Sequence, residues 1–447
     1  MMRTFRIGGI HPEDQKLSAN VPIEAVALPK QAIVPIHQHV GAPAQPVVAK
    51  GDRVKVGQLI AAANGFVSAN VHAPISGVIT KIDTAVDAWG LPMPSIFIDA
   101  DDGGDEWLET IDRTPDLNRI CKLTGEEIIQ KIQDAGIVGL GGACFPTHVK
   151  LTPPPGSKAE VLIINAVECE PYLTCDHQLM LEHGEEIFIG ISLIMRALKV
   201  ERAIVGIENN KKDAIELFRE LANRHFGIEI CPLKLCYPQG GEKQLIDATI
   251  RRQVPSGALP IAVGAIVQNV ATVYAVYEAV QKNKPLFERV MTVTGKNVTR
   301  RGNYLVRFGT TLADVIEHAG GIPEDTDKII AGGPMMGRAV INVDMPAHKR
   351  TSGILLMPES ESARREPVNC MRCGKCVEAC PMGLEPFLLI QQAERRLWDD
   401  MERNDIMDCI ECGCCLYSCP SNRPLLDYVR LGKNTVGGII RARSAKK

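Results

Sequence analysis

The sequence predicts a multidomain chain of mixed α/β and α+β class, and three observations carry that expectation. Residues Ala25 to Asp83 hold short apolar alternations broken by Gly and Pro, the pattern of a small all-β unit. From about Thr124 to Lys284, helix-like segments alternate with strand-like runs, as in a parallel α/β sheet. Beyond Glu359 the chain reads as helix around two dense cysteine runs. At about 150 residues per domain, 447 residues make three or four domains.

Composition sets the outer bounds. Apolar residues make up 45% and charged residues 23%, ordinary globular usage. A formal net charge of −3 argues against a nucleic-acid binder. The opening MMRTFRIGGIHPEDQ has no apolar core of signal-peptide length, so no secretion is expected. No apolar run reaches membrane-spanning length. The nearest, Ile261 to Val280, is interrupted by Gln268, Asn269 and Glu278 and is expected to be a buried helix. Nine of the 15 cysteines lie between Cys370 and Cys419, and cysteines so clustered in a non-secreted chain read as metal ligands.

The first unit, residues 1–100, contains VVAKGDRVKVGQLI and NVHAPISGVI. The order KGDxVxxGQ…APxSG resembles biotinyl and lipoyl carrier domains, in which two such halves form a flattened barrel-sandwich. The hairpin between the halves reads AANGFVSAN, with Gly65 and Phe66 but no modifiable Lys. A lipoyl-like fold in a structural role is therefore expected. Asp101 to Thr114 is acidic and linker-like. The second unit, 115–284, alternates GEEIIQKIQDAG, GEEIFIGISLIMRALKV and KDAIELFRELANRHF with AEVLIINA, ERAIVGIE and IEICPLKL. The third, 285–345, holds RVMTVTG, TTLADVIEHAGGI and KIIAGGPMMG. One helix among strands fits a β-grasp unit of the soluble-ligand-binding type, with Leu312, Val315 and Ile316 packed on the sheet. The fourth, 360–430, contains the cysteine runs.

Those runs are NCMRCGKCVEACPMG and DCIECGCCLYSCPSN, both C-x2-C-x2-C-x3-C-P. This is the bacterial ferredoxin spacing for 4Fe-4S clusters, in which the fourth Cys of each run serves the other cluster. One set is then Cys370, Cys373, Cys376 and Cys419; the other is Cys409, Cys412, Cys415 and Cys380. Zinc knuckles would show CxxC pairs split by a longer spacer. Cys414 is surplus and stands outside both sets. The filler LLIQQAERRLWDDMERND is rich in helix formers, so a helical dicluster domain is expected rather than a strand-rich one.

Four segments of the second unit carry Gly and polar residues where a parallel sheet binds ligands. They are GLGGACFPTHVK, NAVECEP, YPQGGE and QNVAT. In that order they resemble GRGGAGFPTGLK, NADESEP, YICGEE and NNVET of the flavoprotein subunit of respiratory complex I. That resemblance implies FMN contacts at Gly139, Gly141, Gly142, Lys150, Asn165, Glu168, Gly240, Asn269 and Thr272. It also puts Glu170 and Glu242 on the nicotinamide side of an NAD(H) site, orienting the ring rather than acting as acid–base groups. The chain departs from the pattern at Leu140, Cys144 and Val167, where that family has Arg, Gly and Asp.

With FRIGGIHP, VPIHQHVGAPAQP, VPSGALP and AGGPMMG added, nearly the whole chain resembles the RnfC family of the bacterial Rnf (Rsx) complex. The resemblance implies a peripheral subunit on the cytoplasmic face of the inner membrane. It implies electron transfer between NAD(H), FMN and two 4Fe-4S clusters. Membrane Rnf subunits would be the partners, ferredoxin would be reached through the complex, and ferredoxin:NAD oxidoreduction would be coupled to ion movement. Two alternatives share the domain core: a soluble flavin/iron–sulfur corrinoid (cobalamin) reductase, and a non-catalytic iron–sulfur relay adaptor. Among the remaining residues, His37 and His39 read as structural, Cys169 and Cys175 as isolated thiols, and Asp247 with Arg251 as an i,i+4 pair. Arg441, Arg443, Lys446 and Lys447 read as a frayed basic terminus.

Overall fold

The computed structural model describes residues 2–114, 117 and 120–445. The first unit is built of two small antiparallel sheets. Gln31–Pro35, Pro92–Ala100, Gly77–Val86 and Arg53–Val54 form one; Gln45–Pro46, Leu59–Ala62 and Val71–His72 form the other. Val34, Ile60, Val71, Ile79, Ile96 and Ile98 make their shared core. The AANGFVSAN hairpin leans on the second unit, where His148 Nε2 meets the Phe66 carbonyl at 3.0 Å.

The second unit is a four-stranded parallel sheet in the order Ile228–Leu233, Ala203–Glu208, Val161–Asn165, Ala265–Asn269. Its strands are covered on both faces, which explains their nearly unbroken apolar runs. Leu162 and Ile164 face a core with helices Gly125–Asp134, Gly184–Leu198 and Val270–Lys282. Val161 and Ile163 face helix Glu242–Ile250 across the other side. Gly190 lets the two long helices cross closely, since a Cβ there would collide with the Val273 carbonyl.

The apolar run from Ile261 to Val280 is not the single buried helix its composition suggested. Pro260–Val263 is a 3-10 turn, Ala265–Asn269 is a strand, and the helix begins at Val270. Asn269 makes the break: its side-chain oxygen accepts from Ala271 N (3.0 Å) and Thr272 N (3.3 Å), an N-cap that stops the strand and starts the helix.

The β-grasp unit is a six-stranded sheet carrying helix Leu312–His318, whose Leu312, Val315 and Ile316 are buried as expected. Two of its strands come from elsewhere in the chain. Ile23–Ala25 pairs in parallel with Gly302–Arg307, and Gly353–Pro358 lies in the middle of the sheet. The opening residues therefore do not build the sandwich. Arg3 bridges to Leu233, Ile10 bridges to Tyr237, and only then does the chain cross to the β-grasp sheet.

The last unit has no strand among its described residues after Pro358; short helices Lys375–Glu378, Pro386–Glu394, Trp398–Arg403, Cys414–Tyr417 and the long helix Leu425–Ser444 are joined by irregular loops. Leu389, Ala393, Met401, Ile406, Val429 and Val436 form its core. The expected frayed terminus is instead helix to Ser444, with Arg443 paired to Glu402; Lys446 and Lys447 lie outside the described residues.

Candidate functional site

The two cysteine runs fold alike. Arg372 and Glu411 take left-handed φ of 57° and 56°, and the following Cys leads into Gly374 and Gly413 at φ 78° and 80°. Each Gly then caps a one-turn helix that carries the third Cys of the run, Cys376 or Cys415. Two left-handed residues around one cysteine wrap the loop inward, and Gly is the residue that takes such φ without strain.

The runs also cross. Cys380 lines one cavity together with Cys409, Cys412 and Cys415. Cys419 instead packs beside Cys376. Backbone N–H groups already reach two of the sulfurs: Leu384 N donates to Cys380 (3.4 Å) and Glu411 N to Cys409 (3.3 Å). Burial pushes the Cys409 thiol up to about 11, and the Cys380 and Cys415 thiols upward too. A metal is what makes thiolates stable in such a place. Four soft sulfur donors around an apolar cavity fit a 4Fe-4S cluster. The other set differs in exposure, because Cys370 and Cys373 face solvent.

The Gly-rich segments converge at the carboxyl end of the parallel sheet. Asn165 and Asn269 end neighbouring strands and pair in register. Asn165 Nδ2 donates to the Gly240 carbonyl (2.8 Å), tying the second segment to the third. Leu140 N donates to Thr272 Oγ1 (2.8 Å), tying the first to the fourth. Gly141 and Gly142 lie exposed, and Gly142 has φ 116° with open space before it. Lys150 Nζ reaches Glu242 Oε1 at 2.6 Å and the Val267 carbonyl at 3.2 Å. An open glycine backbone, two fixed carboxamides and one amine fit a phosphorylated aromatic cofactor such as FMN.

The two glutamates of NAVECEP point away from open space. Glu168 takes φ 47°, and its carboxylate accepts from Asp176 N (2.7 Å) and His177 N (3.2 Å) at the start of helix Cys175–Glu182. Glu170 accepts from Met335 N (3.1 Å) and Met336 N (2.7 Å) of the β-grasp loop AGGPMMG. Gly333 must be glycine there, since a Cβ would collide with the Glu170 carboxylate. Burial raises Glu170 to about 7. Of the two acids expected on the nicotinamide side, Glu242 stands in the Lys150 pair and Glu170 is committed to a neighbouring domain.

Several contributors escaped sequence reasoning. Lys16 donates to the carbonyls of Glu168, Glu170 and Leu173 at 2.9, 2.9 and 2.6 Å, fixing the NAVECEP turn from outside the domain. Asp176 is buried and raised to about 7, by desolvation first and the Glu168 charge second; it accepts from Asn269 Nδ2 at 2.7 Å. Tyr237 Oη donates to the Cys412 carbonyl at 2.9 Å, three residues before Gly240. Gln244 Nε2 donates to the Pro381 carbonyl (3.1 Å), and Lys243 pairs with Asp408 (3.5 Å). The Gly8–Gly9 turn lies against Cys380: Gly9 N donates to the Ala379 carbonyl (3.0 Å), and a Cβ on Gly8 would strike the Cys380 carbonyl. Lys16 has no local signal; the Gly8–Gly9 turn stands in FRIGGIHP and Tyr237 in YPQGGE, but neither motif says what it packs against.

Other assignments resolve simply. His39 is buried and bonded to the Val40 carbonyl and Ala69 N. Cys169 accepts from Gly240 N (3.3 Å), while Cys175 donates to the Ser352 carbonyl (3.4 Å), so both are free thiols with separate partners. Asp247 turns not to Arg251 but to Arg6, at 2.5 and 2.8 Å. The reason is backbone geometry: Arg251 sits in the left-handed C-cap, which swings it to the Thr4 carbonyl.

Comparison with known proteins matches this layout. Family models cover residues 4–103 (RnfC barrel sandwich hybrid domain) and 132–278 (Nuo51 FMN-binding domain). Two more cover 290–339 (SLBB domain) and 369–423 (4Fe-4S dicluster domain). The chain is 45% identical over 436 residues to the C subunit of the proton-translocating ferredoxin:NAD(+) oxidoreductase complex of Clostridium ljungdahlii, covering 97% of this chain and 94% of that one. It is 41% identical to the C subunit of the Na(+)-translocating complex of Acetobacterium woodii, covering 97% of each. Among solved structures, the NAD+-reducing [NiFe]-hydrogenase in its H2-reduced state shares the fold. Its TM-score is 0.53 at 21% identity, over 73% of this chain and 65% of that one. No described helix is long and apolar enough to cross a membrane. The chain belongs to the RnfC family, the C subunits of ion-translocating ferredoxin:NAD(+) oxidoreductase complexes.

Proposed function

We propose that this subunit passes electrons between NAD(H) and the membrane subunits of an Rnf-type complex, by way of FMN on the α/β domain and two 4Fe-4S clusters. FMN, when bound, supplies the interconversion of two-electron and one-electron transfer, and the clusters carry single electrons. The backbone of Gly139, Gly141, Gly142 and Gly240 lets the cofactor approach closely. Lys150 answers its phosphate charge. Asn165, Asn269 and Thr272 fix the strand ends around it, and Glu168 fixes the helix behind. Glu242, paired with Lys150 in the structure, would orient the nicotinamide. Glu170 acts from one step away, by holding the β-grasp loop.

The observation that carries the reading is the Tyr237 hydrogen bond to Cys412. It joins the Gly240 loop directly to the thiol set Cys380, Cys409, Cys412 and Cys415, which supports reading that set as the inner station. The set Cys370, Cys373, Cys376 and Cys419, with two exposed members, is the outer station that meets a partner. Ferredoxin exchanges electrons with the complex through that partner. The protein sits at the cytoplasmic face of the cell membrane, held by protein contacts.

Anaerobic purification tests this. About eight iron and one FMN per chain are expected for two 4Fe-4S clusters and one flavin, with the flavin bleached on NADH addition and membrane subunits co-purifying. Eight iron with a flavin that ignores NADH would sink the NAD(H) step and leave only a relay.

A further inference from the structure

Cys414 belongs to neither thiol set, yet it is fully buried and lines the same cavity as Cys380, Cys409, Cys412 and Cys415. It packs with Ile10, Tyr237, Ala379 and Cys412, at the seam between the α/β domain and the dicluster domain. Its sulfur donates to the Tyr237 carbonyl at 3.9 Å, and the Cys412 side chain packs beside it at the same cavity. Adjacent to Cys415 on a one-turn helix, it cannot take the same iron corner.

A thiol carries one proton, and the better acceptor draws it. A ligated Cys412 sulfur is anionic and outcompetes a neutral carbonyl. Hydrogen bonds to cluster sulfurs stabilise the reduced, more negative cluster and so raise its potential. We propose that Cys414 is a non-ligating positioning residue that donates its S–H to Cys412 and raises the potential of the inner cluster. The same side chain also fixes that cluster's turn against Tyr237, so the contact that joins the two domains adjusts the driving force across it. This rests on the ligand sets proposed above.

The test is an EPR-monitored redox titration of full-length C414A and C414S, purified anaerobically with iron counted. Both variants are expected to keep about eight iron. In C414A one midpoint falls by about 59 mV, a tenfold change for one electron, and the other stays. C414S, which keeps a donor, falls less. If C414A does not fold, C414V refills the volume without a donor and takes its place. Two unmoved midpoints overturn the proposal. So does loss of about four iron in both variants, which would make Cys414 a ligand. A wild-type chain with fewer than two clusters sinks the ligand assignment itself, which is a separate failure.

Discussion

Lys349 offers a quantitative test of how the modules are joined. It is fully buried, and its Nζ donates to the carbonyls of Asn70 in the sandwich (2.8 Å) and Gly136 in the flavin domain (2.7 Å). Its own backbone meets Gln38 and Arg289. Desolvation lowers its pKa from 10.5 to about 7, with only the Cys144 thiol opposing. A lysine depressed in the folded state contributes stability that is present above 10.5 and lost as pH falls towards 7. Over that window the slope approaches about 1.36 kcal/mol per pH unit, so wild type gains about 2 kcal/mol between pH 7 and 9 from this group alone. K349M keeps the volume and removes the titration. It leaves two carbonyls short of a donor, at about 1–3 kcal/mol each, against about 4 kcal/mol of charge burial relieved at pH 7. The variant should therefore match wild type near pH 7 and fall about 2 kcal/mol below it at pH 9. Urea unfolding of the cluster-loaded protein, followed by fluorescence of Trp89, Trp107 and Trp398, reads the difference. His39 and His72, held near 4 and 3, do not titrate in this range. Parallel pH profiles for the two proteins would refute the reasoning.

Glu170 should show the opposite sign. Raised to about 7, it contributes stability that is full below 4.5 and lost as pH rises through 7, so E170Q should narrow the stability loss between pH 5 and 8 in thermal unfolding; equal losses would exclude it. C380A should remove about half of about eight iron while leaving the outer cluster's EPR signal, whereas a straight, uncrossed ligand set would leave the second run's cluster intact. N269A removes an N-cap, a cost of about 1 kcal/mol, and should lower flavin retention on gel filtration; full retention would take Asn269 out of the site.

The parts of the fold that could be read from the sequence were those with local periodicity. The cysteine spacing announced both loops, and Cys380 lines the same cavity as the second run, as a crossed ligand set would require. Strand–helix alternation announced the parallel sheet, and the Glu- and Leu-rich filler announced helices. What escaped was long-range. Nothing near Lys16 or Gly8 says that they serve residues more than a hundred positions away. Glu170 reads as a cleft acid because its motif does, but its carboxylate is captured by amides of Met335 and Met336, which no local pattern could foretell. The run ending at Val280 misled for a different reason: apolar length is shared by buried strands and helices, and only the capping role of Asn269 separates them.

The Gly8–Gly9 turn has a consequence for how the protein is made. Its partner, Ala379, emerges 370 residues later, about 20–70 s at ribosomal rates of about 5–20 residues per second. For that interval the seat for Cys380 exists on one side only. The segment from Phe5 to Ile10, held by Tyr237 and Asp247 of the α/β domain, gains its remaining contacts only once the cysteine-bearing module has been synthesised. A chain cut short before the cysteine runs keeps the Ile10–Tyr237 bridge but leaves Ile10 without its Ala379 and Cys412 neighbours. Arrival of the electron-carrying module is registered by residues made long before it.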